Sequence, residues 1–248
     1  NYACYQDARF MIVGTPSGIT LAPEGGAHQS IKTPLIGLSQ PGLAMFEPAY
    51  VDELAAIMAW GFDYLQRPGP DGGSVYLRLS TRPIAQAKRG AGEAFAREVI
   101  EGGYWRQAPS SRTQVAIAYT GALAPEALAA AEDLDAKGIE AAVLAITSSD
   151  RLFASWRAAQ ADDREDDAHV ARLLAQLPQR AKLVCVLDGH PASLAWLGAV
   201  AGHKTRTLGV ERFGESGSVA DLYVAAGIDA PAIVKAAMPR TVPARRAS

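Results

Sequence analysis

Glu24, His28 and Gln29 are the residues in this sequence whose types and spacing best suit chemistry. They sit in a glycine- and proline-rich stretch, residues 14–31, with Gly25 and Gly26 between the carboxylate and the imidazole. An imidazole titrates near neutrality, so His28 is suited to give or take a proton, and a carboxylate or amide close by can orient it. The paired glycines let backbone pass close to a ligand. The apolar run before the stretch, residues 10–13, reads as a short buried strand that stops at Gly14. The carboxyl end of such a strand is where α/β proteins place polar groups, because a rigid sheet aims the loop that follows. The plainer reading of the same residues is a surface loop with one solvated histidine.

Other chemistry-bearing residues are more ordinary. Asp188-Gly189-His190 follows an apolar run and reads as a turn and helix start, at a strand end where ligands also bind. His169 lies in an acidic helix and reads as a surface residue, and His203 as a loop residue. Residues 212–218 form a glycine-containing loop before a helix, read as a packed turn. No dinucleotide glycine fingerprint and no nucleophile elbow occurs. Cys4 and Cys185 are the only cysteines, so neither a disulfide framework nor a zinc site is expected.

The elements that must position these groups follow from periodicity. Residues 43–46 and 74–80 read as strands, and 51–66 as a helix with Leu54, Ile57, Met58, Phe62 and Leu65 on one face. Residues 81–112 have a looser pattern with one amphipathic piece near 94–100. From residue 113 strands and helices alternate regularly: strands at 114–119, 139–147, 182–187 and 205–211, helices at 125–137, 149–156, 168–177, 192–201, 218–226 and 230–238. That alternation implies an α/β fold with a mostly parallel sheet covered by helices on both faces. Residues 1–9 read as the last two turns of a helix whose start is missing.

With 248 residues, 49% of them apolar, and a net charge of -2, the chain can bury one large core or two moderate ones, and two domains are expected. The charge gives no footprint for nucleic acid or an anionic membrane, and no apolar run is long enough to span one. A cytoplasmic location is the expectation.

Glu24-Gly-Gly-Ala-His28-Gln29 after the 10–13 strand resembles the active-site loop of the transketolase superfamily of thiamine-diphosphate enzymes. Phe46-Glu-Pro-Ala49 resembles the next strand end of the same pyrimidine-binding domain. Residues 208–223 with Gly227-Ile228-Asp229 resemble the last strand, loop and helix of the superfamily's C-terminal domain. The implied organisation is a partial pyrimidine-binding domain at 1–83, a linker at 84–112, a transketolase C-terminal-like domain at 113–238 and a disordered tail at 239–248. Within the superfamily, Tyr119-Thr-Gly-Ala, Thr147-Ser148-Ser149 and Phe213-Gly-Glu-Ser-Gly217 look most like the homodimeric type of pyruvate dehydrogenase, with transketolase as the near alternative.

The resemblance implies decarboxylation of a small 2-keto acid, pyruvate, and passage of the acetyl group to a lipoyl-bearing acyltransferase. It assigns His28 as the catalytic donor or acid for the keto oxygen, and Glu24 and Gln29 to substrate binding. It also implies thiamine diphosphate and Mg²⁺. The family's cofactor-binding residues have no counterpart here and are expected upstream of residue 1, so no metal ligand is assigned and the chain is expected to be inactive alone. Arg82 lies one residue out of register with the sugar-phosphate arginine of transketolases. A non-catalytic subunit or docking module is the reading from another class.

Overall fold

The computed structural model describes residues 1–90 and 92–238; the tail assigned to 239–248 lies outside the described residues. A single helical turn, α1 (Tyr2–Tyr5), leads into β1 (Met11–Gly14), and two 3-10 segments, Gly18–Glu24 and Gly26–His28, follow. Then come α2 (Thr33–Ser39), β2 (Leu43–Phe46), α3 (Val51–Tyr64) and β3 (Ser74–Arg78). These strands form a parallel three-stranded sheet in the order β1-β3-β2. The run read as a buried strand is therefore an edge strand, with Ile12 and Val13 each 49% exposed. An apolar run reports its own hydrophobicity, not which neighbours cover it.

α3 carries Asp52 and Glu53 in its first turn, and Glu53 reaches back to accept the backbone N–H groups of Ala49 (2.6 Å) and Tyr50 (3.0 Å). This capping box satisfies donors that the helix start would orphan. Its buried stripe is Glu53, Ile57 and Gly61. Gly61 faces the sheet so closely that an added Cβ would lie 2.9 Å from Met11 Cε. With glycine in the inward position, Phe62 turns outward, 56% exposed, against the helical-face expectation.

The second unit comprises α4 (Glu93–Glu101), β4 (Gly103–Gln107), β5 (Val115–Thr120), α5 (Ala124–Ala136), β6 (Ala141–Ile146), α6 (Ser149–Ala161), α7 (His169–Leu174) and β7 (Lys182–Val186). It ends with α8 (Ala192–Ala195), α9 (Leu197–Ala201), β8 (Thr205–Leu208), α10 (Val219–Ala226) and α11 (Ala230–Ala237). The sheet order is β4-β6-β5-β7-β8, parallel except for β4 against β6. The stretch read as a linker thus supplies a helix and an edge strand of the second sheet. Gly102, left-handed at φ 117°, ends α4 and feeds the chain directly into β4. The rest of that stretch is anchored by Arg89. Its guanidinium donates twice to Asp52 at 2.7 Å and lies 4.4–4.9 Å from the ring centroids of Phe95, Tyr50 and Tyr104.

Strand alternation divides the core. Val115, Ile117 and Tyr119 of β5 face one side with Val143 and Val184, while Ala116 and Ala118 face the other with Leu144, Leu183 and Leu152. The first of these apolar clusters continues into the small sheet through Phe46, Ile57, Val75 and Leu77.

The free side of β2 is closed by the start of α6. Met45 donates its N–H to Asp150 (3.0 Å), and its carbonyl accepts from the Ser148 hydroxyl (2.5 Å), which also caps α6 at Arg151 N (3.1 Å). Burial pushes the Asp150 carboxyl up to about 6. Its folded pKa is above its unfolded one, so its contribution is most favourable below about pH 4 and is lost as pH rises through 6, a swing on the order of 3 kcal/mol. Asp150→Asn keeps the acceptor for Met45 and removes the charge. Its melting temperature, measured from pH 4 to 7, should fall less with rising pH than that of the parent; parallel curves would refute this.

Candidate active site

The loop at residues 18–29 begins with a residue only glycine can be. Gly18 has φ 56°, and a Cβ there would overlap the Asp188 carboxylate. Gly25, at φ 107°, breaks the chain between the two 3-10 segments. His28 ends the second segment and is exposed, and among the described residues its ring has no hydrogen-bond partner. Glu24 is also exposed and makes no hydrogen bond to His28. The structure therefore leaves the two side chains four residues apart free of each other.

Gln29 turns inward. It is 7% exposed, donates from Nε2 to the Glu215 carbonyl (2.9 Å), and leaves Oε1 buried without a partner. It lines a cavity of about 330 Å³ with Ile19, Val210, Arg212, Phe213 and Leu222. The stretches that carry the family resemblance, 24–29 and 208–223, are thus adjacent through Gln29 and the 213–215 segment. A Cβ on Gly26 would overlap the Gly214 carbonyl, and one on Gly214 would overlap the Gln29 amide. Both glycines are there for close backbone approach.

Beneath the loop lies a buried charged cluster that periodicity did not reveal. Arg78, at the end of β3, is fully buried and pairs with Glu47 at the end of β2. It also donates to Thr33 Oγ1 (2.9 Å), the Ser30 carbonyl (3.0 Å) and the Asp188 carbonyl (2.7 Å). Asp188, at the end of β7, takes the Ile19 N–H on both carboxylate oxygens (2.9 and 3.0 Å). Burial raises the pKa of both Glu47 and Asp188, and the Arg78 guanidinium opposes this. The signal that could have found the cluster is position: all three follow apolar runs at the carboxyl ends of strands, where two sheets meet.

The remaining sequence candidates resolve structurally. His190 donates its backbone N–H to the Ile31 carbonyl (2.8 Å), and its Nδ1 accepts from Ala192 N (3.3 Å), as a turn and helix start require. His203, read as a loop residue, is 4% exposed and bonded to the carbonyls of Ala181 and Leu174. His169, read as a surface residue, packs between Glu101 (3.0 Å) and the Gly103 carbonyl (2.7 Å). Arg82 makes two 2.7 Å bonds to Glu126 and lies over Tyr223.

The buried carboxylates Glu47 and Glu53 are both engaged, by Arg78 and by the α3 cap with Tyr104. Among the described residues no group of three or more His, Cys, Asp or Glu could hold a metal. No helix there is long and apolar enough to cross a membrane.

The family model "Transketolase-like TK C-terminal domain" matches residues 102–229. A 6-deoxy-6-sulfo-D-fructose transketolase subunit of Clostridium sp. (strain MSTE9) is 33% identical over 143 residues, covering 56% of this chain and 39% of that protein. The pyruvate dehydrogenase E1 component of Mycolicibacterium smegmatis is 29% identical over 133 residues, covering 52% of this chain and 14% of its own length. In fold, a transketolase of Pichia stipitis superposes with a TM-score of 0.72 at 19% identity, over 95% of this chain and 30% of that one. The chain therefore spans about two fifths or less of the length of these proteins. Through the matched region, β4 to the start of α11, this chain belongs to the transketolase superfamily of thiamine-diphosphate enzymes.

Proposed function

We propose that this chain supplies the substrate-facing loop and the C-terminal domain of a thiamine-diphosphate enzyme that decarboxylates a small 2-keto acid, pyruvate. The observation that carries this reading is the paired-loop geometry, with an exposed, unengaged His28 next in the chain to Gln29, which lines the cavity. His28 donates a proton or hydrogen bond to the substrate oxygen on which negative charge develops. Gln29, which lines the cavity, and Glu24 contact the substrate. Thiamine diphosphate and Mg²⁺ are held by residues outside this chain. The chain acts in a homodimer, in the cytoplasm, and hands the acetyl group to a lipoyl-bearing acyltransferase.

A keto acid is favoured over a sugar phosphate by Arg82, the basic residue nearest the family's sugar-phosphate arginine. Its guanidinium is already committed to Glu126 and the Tyr223 ring. The name of the Clostridium relative favours a second reading, in which the chain is one subunit of an enzyme of two-carbon ketol transfer. The deciding assay uses the full native protein that contains this chain, with thiamine diphosphate and Mg²⁺. Carbon dioxide release from pyruvate with an electron acceptor should exceed ketol transfer between sugar phosphates by about a hundredfold or more. The reverse order of rates would replace the first reading by the second.

A further inference from the structure

We infer that the second domain sets the conformation of the 18–29 loop, with Asp188 as its positioning residue and the 213–217 segment as its clamp. Apart from the bonds of Thr20 to the adjoining Ser17 carbonyl, the hydrogen bonds that tie residues 18–29 to the other described residues go to the second domain. Asp188 holds the loop's entry by the Ile19 N–H. The Gly217 N–H donates to the Ala22 carbonyl (3.4 Å) in its middle, and the Glu215 carbonyl takes Gln29 at its exit. Just beyond, the His190 N–H fixes the Ile31 carbonyl.

The small sheet contributes nothing comparable within the loop. Its own arginine, Arg78, acts one residue past the exit, at the Ser30 carbonyl, and simultaneously holds the Asp188 carbonyl. The loop has little regular structure to hold itself. Its 3-10 turns are short, and Gly18, Gly25 and Gly26 give it wide conformational freedom. His28 is exposed on this loop, so its placement is only as good as the three anchors from the second domain. A misplacement on the order of 1 Å is enough to cost a catalytic group much of its effect.

This assignment rests on the proposed function only for what the positioning is used for; the positioning itself is read without an activity. The experiment is hydrogen exchange with mass spectrometry on the full native protein and on Asp188→Ala, Asp188→Asn and Gly214→Ala. Asp188→Ala should speed exchange at Ile19 and Thr20 by about tenfold or more, with the β5, β6 and β7 amides unchanged. Asp188→Asn, which keeps an acceptor for Ile19, should restore most of the protection. Gly214→Ala, whose new methyl meets Gln29, tests the clamp even if Asp188→Ala does not fold, and should loosen residues 25–29 first. Unchanged loop protection in both Asp188→Ala and Gly214→Ala would overturn the inference, as would Asp188→Asn exchanging as fast as Asp188→Ala. His28→Ala, carried in parallel, separates the two readings: normal activity there would refute the catalytic assignment and leave the exchange result standing.

Discussion

His28→Ala should lower turnover of the full native protein by about 10²- to 10⁴-fold, the range for losing a general acid or its hydrogen bond to a developing charge. The fold should be unaffected. The imidazole is exposed and unbonded among the described residues, so its removal leaves no buried group orphaned, and stability should stay within about 0.5 kcal/mol. That combination separates a catalytic role from the docking-module reading, under which both turnover and assembly persist. The measurement is steady-state kinetics beside a thermal melt. Turnover within a few-fold of the parent would remove His28 from the mechanism.

The largest stability effect is expected at Arg78. Arg78→Leu leaves Glu47 buried beside Asp188 with no cation and orphans the Ser30 and Asp188 carbonyls. Removing one partner of a buried pair costs about 3–5 kcal/mol, because the charge left behind must be desolvated or neutralised. The burial that already raises both carboxyls then acts without the cation that opposed it, so protonation offers partial relief and the loss should shrink as pH falls. Chemical denaturation at pH 7.5 and pH 5 checks both statements. Glu47→Gln in the Arg78→Leu background should recover part of the loss, since the amide carries no charge. Equal stability of Arg78→Leu and the parent at pH 7.5 would show that the cluster is dispensable.

Most of the second domain was legible because it is written in local pattern. Alanine-rich helices punctuated by Gly138, Gly202 and Gly227, and apolar strands between them, can be read without knowing what packs where. β4 was not legible, since its Gly-Tyr-Trp-Arg-Gln has no apolar alternation and its partner, β6, is distant in sequence. The helix read as continuous over 192–201 divides at Trp196, and α2 was missed because Pro34 and Gly37 mask a short apolar helix. The candidate loop was visible as a composition, but its shape was not: three of its anchors come from residues roughly 170–195 positions later in the chain. Gln29 shows the difference. Its neighbour His28 was assigned by type, while Gln29's inward turn depends on Glu215 and Gly214, which no local window contains.

Arg89 separates two kinds of continuity. The covalent path from the small sheet to the large one passes an exposed Gly90, with no atom near its would-be side chain, immediately after a guanidinium bound to Asp52 and three aromatic rings. Apolar contacts and the Glu47, Arg78 and Asp188 cluster join the same two sheets without using that path. A cut beside Gly90 would therefore sever the polypeptide while leaving the packing intact. The two pieces should co-elute after limited proteolysis and separate only in denaturant. The same architecture lets one gene or two encode the pair without altering the site they form.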